Sequence, residues 1–380
     1  MTLVAACSST DEPDYAELAE FNQQVTPRVA WSVNLGEGTD EYLSRLRPVY
    51  ADGIVYAADR HGQVSAVNAE TGRQVWRTDL SPAGSFSLAF WRKGPAAKLS
   101  GGVTLANNRV YVGSEEGQMY ALDAATGELD WQVNVPGEVV SAPAYGEGFL
   151  VTHLGNGTVY AMDAETGEQR WTHEEEVPTL SLRGTSSPAI AAGGVMLGSN
   201  SGRAVVLILE SGQLAWDERI ATPTGSSDLE RMVDIDADPV VRGDTLYLLA
   251  FNGELVAMHL VSGDVLWRRD YQGYRTPQIT TTRIYLTTTQ SHVVELERMG
   301  GTERWRNNTL YGRSLTEVAV MPDHLVTADR FGVLHWLDRN TGQIVGRHEL
   351  RKDGVQVAPL RVDDKIIVQT NNGRLIALTY

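Results

Sequence analysis

The chain has 380 residues, with 48 Asp and Glu against 32 Lys and Arg and a formal net charge of −16. That acidity repels phosphate backbones and excludes a nucleic-acid surface, and no basic stripe with interleaved aromatics occurs. No apolar run reaches the roughly 18 residues of a membrane-spanning helix, whereas 42% hydrophobic residues is ample for a core.

In chain order, the first feature is Cys7, the only cysteine, which rules out an intrachain disulfide. It closes the run LVAAC (3–7) and precedes SSTDEPD. Apolar residues, small residues and then Cys resemble the lipobox of a bacterial lipoprotein, with the earlier part of a signal peptide missing. The resemblance implies a lipid on Cys7, and Ser8 rather than Asp after it implies sorting to the outer membrane. Two or more acyl chains give stable anchoring. Residues 8–26 are polar and acidic without strong periodicity, and read as a flexible tether with a short helical turn at Tyr15–Phe21. One folded domain is expected over 27–380.

That domain is built on a repeat. GQVSAVNAETGRQVW (62–76), GQMYALDAATGELDW (117–131) and GTVYAMDAETGEQRW (157–171) are near copies, and looser ones end at Trp216, Trp267, Trp305 and Gly346. Period-2 alternation, a Thr-Gly or Ser-Gly turn and a second strand closed by Trp read as a hairpin. The closing residues Trp31, Trp76, Trp131, Trp171, Trp216, Trp267 and Trp305 stand 38 to 55 residues apart. Two further strands precede each hairpin, the first often opening on proline, where no ladder donor is lost. The units predict blades at 47–80, 101–135, 140–175, one ending near 220, 239–270, 277–306, 317–350, and 357–380 joined with 28–35. The fold class is therefore all-β: an eight-bladed β-propeller of four-stranded antiparallel blades, its ring closed by the N-terminal strand pairing with the C-terminal blade. Blade 7 departs from the pattern. Trp336 replaces the usual Ala on its third strand and Gly346 replaces the closing Trp, as in compensating packing.

Three connectors between blades are long. Residues 81–100 carry Phe86, Phe90 and Trp91, a local plug or a contact surface. VPTLSLRGTSSP (177–188) sets Leu180 and Leu182 two apart beside Arg183, either tucked under the blades or forming a protein-binding hot spot. The connector 221–239 ends in DIDAD (234–238), read as an exposed acidic loop. Equivalent connectors emerge on one face of a propeller. Those after blades 3 and 4 stand about 45° apart, so Leu180, Leu182, Arg183, Asp234 and Asp236 fall within one footprint.

Little chemistry is legible. The eight histidines are scattered, and no His-Glu-x-x-His or Gly-x-Ser-x-Gly motif occurs. DIDAD fails as a calcium loop because Pro239 stands where Gly is needed and Thr245 where Glu is needed. No metal or cofactor is expected. The repeat AxDxxTGxxxW resembles that of quinoprotein dehydrogenases, propellers that bind pyrroloquinoline quinone. Their adjacent cysteines and their large insertions over the channel are missing here, so an enzyme is the remote alternative.

A more specific resemblance rests on LSLRG (180–184), VYAADRHG (55–62), LSGGVT (99–104), TGSSDLERMVDIDADPVV (224–241) and the lipobox at Cys7. Over nearly its whole length the chain is similar to the BamB family, lipoprotein propellers of the outer-membrane β-barrel assembly machinery. The resemblance implies a non-enzymatic scaffold at the periplasmic face of the outer membrane. It would be anchored in the inner leaflet through a lipid on Cys7 and bind the POTRA domains of BamA. It places partner contacts on Leu180, Ser181, Leu182 and Arg183, and on Asp234 and Asp236. The alternative role is a periplasmic holder of unfolded outer-membrane protein strands, acting by β-augmentation on a blade edge.

Overall fold

The computed structural model describes residues 14–39, 42, 44–82, 95–178, 180, 184–224, 226–227, 231–350 and 353–380. Their regular structure is 32 strands in eight four-stranded antiparallel sheets. Blades 1 to 7 span 49–79, 99–134, 144–174, 189–219, 240–269, 278–307 and 319–349, each with its strands (a to d) in sequence order. Blade 8 takes three strands from 360–379, and its outer strand is Arg28–Asn34, paired with Arg374–Thr379. The ring closes as the sequence predicts.

The repeat folds as it does for local reasons. In blade 2 the Asp123 carboxylate accepts from the backbone N–H of Ala125 (2.9 Å) and Thr126 (2.8 Å) and from the Thr126 hydroxyl (3.0 Å). Gly127 then turns the chain at φ 76°. Asp163 and Asp338 repeat this turn. Strand d enters with a bulge just before its Trp, which brings Trp131 opposite Ala121 on strand c. The bulge recurs at that position in every blade and re-aims the indole towards the following blade.

There the indole lies on the turn glycine of the next blade. Trp76 covers Gly127, where any side chain would run into the ring, and its Nε1 donates to the Ala124 carbonyl at 2.9 Å. Trp31 donates to Ala69 (2.9 Å), Trp171 to Leu209 (2.7 Å), Trp216 to Leu260 (3.2 Å) and Trp305 to Arg339 (3.2 Å). Trp131 and Trp267 lie on Gly167 and Gly301 in the same way.

Blade 7 has no such Trp, and the ring explains why. Its receiver would be the turn between strands c and d of blade 8. That turn does not exist, because strand c ends at Thr379 and strand d begins at Arg28. Trp336 instead faces Gly346 directly across the sheet and is fully buried. The N-terminal segment lies over Gly346: Gln24 and Val25 donate to the Val345 carbonyl at 2.8 and 2.9 Å, and Val25 pairs with Gly346 in parallel. A Cβ on Gly346 would strike Val25.

The helical turn expected at Tyr15–Phe21 does not form. The segment runs extended along blades 6 and 7, because its hydrogen bonds are made to the ring rather than to itself. Ala16 N–H donates to the Tyr311 carbonyl at 2.8 Å. Arg313 and Arg347 donate to the carbonyls of Ala16 (3.1 Å) and Ala19 (3.3 Å). Tyr15 packs on Phe331 with centroids 4.8 Å apart, and the Arg347 guanidinium stacks 4.7 Å from the Phe21 ring. From residue 14 onwards the tether is a docked strap.

Two outcomes are expected. Trp171→Ala should lose about 3–5 kcal/mol, the range for an aromatic-to-alanine change in a core, read as an earlier denaturation midpoint. Gly346→Leu should leave the far-UV spectrum unchanged while residues 14–25 become protease-sensitive; an uncut segment would show that Val25 does not depend on that glycine.

Candidate functional site: the connector face

Blade 1 begins at Arg45-Leu46-Arg47-Pro48 and blade 5 at Asp236-Ala237-Asp238-Pro239. These blades stand opposite each other in an eight-fold ring, so the two charged pairs meet across the mouth of the central channel. Arg47 contacts the Asp238 carboxylate at 3.0 Å and Glu317, at the start of blade 7, at 2.6 Å. Arg45 donates to the carbonyls of Thr185 (2.8 Å) and Asp236 (3.0 Å), with its guanidinium 3.8 Å from the Asp236 carboxylate. A chain of hydrogen bonds joins successive blades around the mouth. Ala142 N–H donates to the Ser187 hydroxyl (3.2 Å), Ser187 N–H to Asp238 (2.8 Å) and Asp238 N–H to the Thr276 hydroxyl (3.0 Å).

The titration of these groups follows from their partners. Burial by itself would raise the Asp238 and Glu317 carboxyls. For Asp238 the charges of Arg47 and Arg45 and the Ser187 contacts outweigh it, and for Glu317 the charges of Arg47 and Arg275 do, so both sit below the ordinary carboxylate range. At Asp236 burial wins over the more distant Arg45, and its carboxyl is raised. Burial also pushes His153 down to about 4, so it is neutral near pH 7. Its carbonyl accepts from the hydroxyls of Thr185 (3.0 Å) and Ser141 (2.9 Å), which supports the base of the 177–188 connector.

The residues singled out from sequence separate here. Leu180 is 50% exposed. Ser181, Leu182 and Arg183 lie outside the described residues, as do Cys7 and the aromatics Phe86, Phe90 and Trp91. DIDAD is not an exposed acidic loop: Asp234 and Asp236 are 1% and 3% exposed. The reason is the apolar alternation around them. Val233 and Ile235 are buried between blades 4 and 5, and Ala237 between blades 5 and 6, and they carry the intervening aspartates inward. The connectors after blades 3 and 4 are indeed joined, since Arg45 bonds to both. Sequence reading missed Arg45, Arg47, Asp238 and Glu317. The findable signal was R-x-R-P and D-x-D-P at the same offset in opposed blades.

With the fold in view, the class is plain: an eight-bladed β-propeller of quinoprotein-type repeats. Residues 10–139 match the model of the glucose/ethanol/alcohol dehydrogenase β-propeller domain. The quinohemoprotein alcohol dehydrogenase of Comamonas testosteroni superposes with a TM-score of 0.70 at 15% identity, covering 93% of this chain and 76% of that one. The crystal structure of BamB from Moraxella catarrhalis gives 0.81 at 22% identity, covering 93% and 100%. Likeness at such identities is one of fold. Sequence relatives go further. Outer membrane protein assembly factor BamB of Alteromonas naphthalenivorans is 42% identical over 378 residues, 97% of this chain and 90% of that protein. The Escherichia coli K12 protein of the same name is 37% identical over 383 residues, 100% and 96%. The model of outer membrane protein assembly factor BamB matches residues 88–307 and 300–380. The chain belongs to the BamB family, a family of assembly factors rather than enzymes.

Arg47→Ala removes the one cation among the described residues that contacts both Asp238 and Glu317, and a loss of about 3–5 kcal/mol at pH 7 is expected. In the wild type both carboxyls are depressed, so the clamp's contribution is full above the unfolded value near 4 and is lost as pH falls through the folded values. In the variant, burial without the cation raises them, and protonation relieves the deficit. The gap between the two proteins should therefore narrow from pH 7 to pH 4 in chemical denaturation. A gap of constant size would remove the ion pairs from the account.

Proposed function

We propose that the chain is a non-enzymatic scaffold lipoprotein of the outer-membrane β-barrel assembly complex. In this reading a lipid on Cys7 holds it at the periplasmic face of the outer membrane, and the connector 177–188 docks on the POTRA domains of BamA. Kinship with proteins named for outer-membrane protein assembly supports the setting. The observation that carries the docking surface is Arg45, which ties the base of that connector to the next one beneath an exposed Leu180. A loop on a rigid base loses less entropy on binding. Leu180, Ser181, Leu182 and Arg183 are assigned to partner contact. Asp234 and Asp236, being buried, are assigned to holding the loop.

Binding of purified BamA POTRA domains tests this. Leu180→Asp and Arg183→Glu are each expected to weaken binding by about 30-fold, the scale of a 2 kcal/mol hot spot, with Val261→Asp on the opposite turns unchanged. Equal binding by all four proteins would move the interface off this connector.

A second role, holding unfolded outer-membrane protein strands, is favoured by the outer strands of blades 4 and 5. These sheet edges bear Leu214 and Leu266, each about half exposed, and offer an extended strand both backbone and apolar partners. Extended, aromatic-ended peptides should bind there, more weakly with Leu266→Asp; no binding at high peptide concentration would remove this role.

A further inference from the structure

The docked strap has a consequence for how the ring meets a membrane. Its first described residue, Asp14, places its carbonyl against Gly312 in the connector between blades 6 and 7. Asp14 stands seven positions after Cys7, a reach of at most about 25 Å. Were the chain free as far as Arg28, the reach would be about 75 Å. Docking shortens the leash threefold and chooses which sector of the ring lies nearest its origin.

That sector gathers exposed aromatic side chains around a cation. Tyr311 is 47% exposed and Phe331 36%. Phe331 stacks on Tyr15, and the Arg330 guanidinium lies over both rings, at 4.8 and 5.5 Å. His292 adds its ring beside Tyr311, with centroids 6.2 Å apart. Asp14 and Glu17 on the strap are exposed beside this group. In a chain of net charge −16, residues 265–313 hold eight arginines against four acids, a local excess of cations that lessens repulsion by an anionic surface.

We propose that the rim formed by Tyr15, Tyr311, Arg330 and Phe331 is the membrane-facing edge of the propeller and takes phosphatidylethanolamine headgroups. The proposal rests on the lipid-anchored reading of Cys7. Aromatic side chains paired with a cation suit the headgroup layer, where one end of the ring is apolar and the other wet. Arg330 meets the headgroup phosphate. The exposed carboxylates of Asp14 and Glu17 meet its ammonium, which a purely anionic lipid lacks. The rim also fixes the tilt of the ring, because the connector between blades 6 and 7 shares its face with the 177–188 connector.

The test uses the acylated full chain in phosphatidylethanolamine-rich vesicles carrying a lipid-borne quencher. A fluorophore is attached through Asn308→Cys, beside the rim, or through Glu165→Cys, on an outer turn of blade 3. Acylated Cys7 offers no competing thiol. Quenching at 308 is expected to exceed that at 165 by at least threefold, and Arg330→Glu with Phe331→Ser should abolish the difference. Both replaced side chains are exposed, and Arg330→Glu alone should halve it. Equal quenching at both sites in an acylated chain would overturn the rim and leave the anchor standing. A difference that survives both variants would overturn the headgroup assignment. An unacylated Cys7, read by mass spectrometry, would overturn the anchor and the rim together.

Discussion

The indole on strand d of every blade but the seventh, pressed on the turn glycine of the following blade and in six of these seven bonded to its backbone, is the contact on which the ring depends. It sets the step from one sheet to the next, because ring and glycine fit only at one separation and the Nε1 donor has one carbonyl within reach. A buried indole brings a large apolar area and a donor that must be satisfied, and this geometry meets both demands. The bulge before each Trp belongs to the same device, since an unbulged strand would point the indole to the other face of the sheet.

Where the receiving turn is missing, the device is rebuilt. Between blades 7 and 8 the two chain ends take the place of a turn, and the packing reverses, with Trp336 on the inner strand and glycine on the outer. The gap over Gly346 is filled by Val25, and Tyr380 lies 5.8 Å from Trp336. The irregular blade thus provides the berth for the N-terminal strap. An apparent defect in the repeat and the path of the tether are one structural fact.

The channel mouth adds a second constraint, acting across the ring rather than around it. Arg45 and Arg47 join blade 1 to blades 4, 5 and 7 in a single step. Buried charges of this kind add little net stability over apolar packing, but they hold their partners in one arrangement. What they hold are the roots of the connectors after blades 3 and 4. Stability and the shape of the proposed docking surface are therefore coupled through two arginines.

The repeat alone was enough to determine the architecture. Its period, its Thr-Gly turns and its spaced tryptophans are local signals, and each blade strand uses mainly its neighbours in sequence. Closure by Arg28–Asn34 was legible for the same reason, as half a unit left over at each end. The site was legible only in part. The pairing of connectors 177–188 and 221–239 followed from the order of the blades, but the burial of Asp234 and Asp236 did not. The fate of Asp236 depends on Arg45, 191 positions away, and that of both on Val233 and Ile235 finding a cleft that exists only once two blades have packed. The strap was illegible for a similar reason. Polar residues without periodicity carry no fold of their own, and Tyr15, Leu18 and Val25 pack against a surface assembled from blades 6 to 8. Sequence determines what neighbours along the chain can settle between themselves; contacts across the channel and over the seam belong to the closed ring.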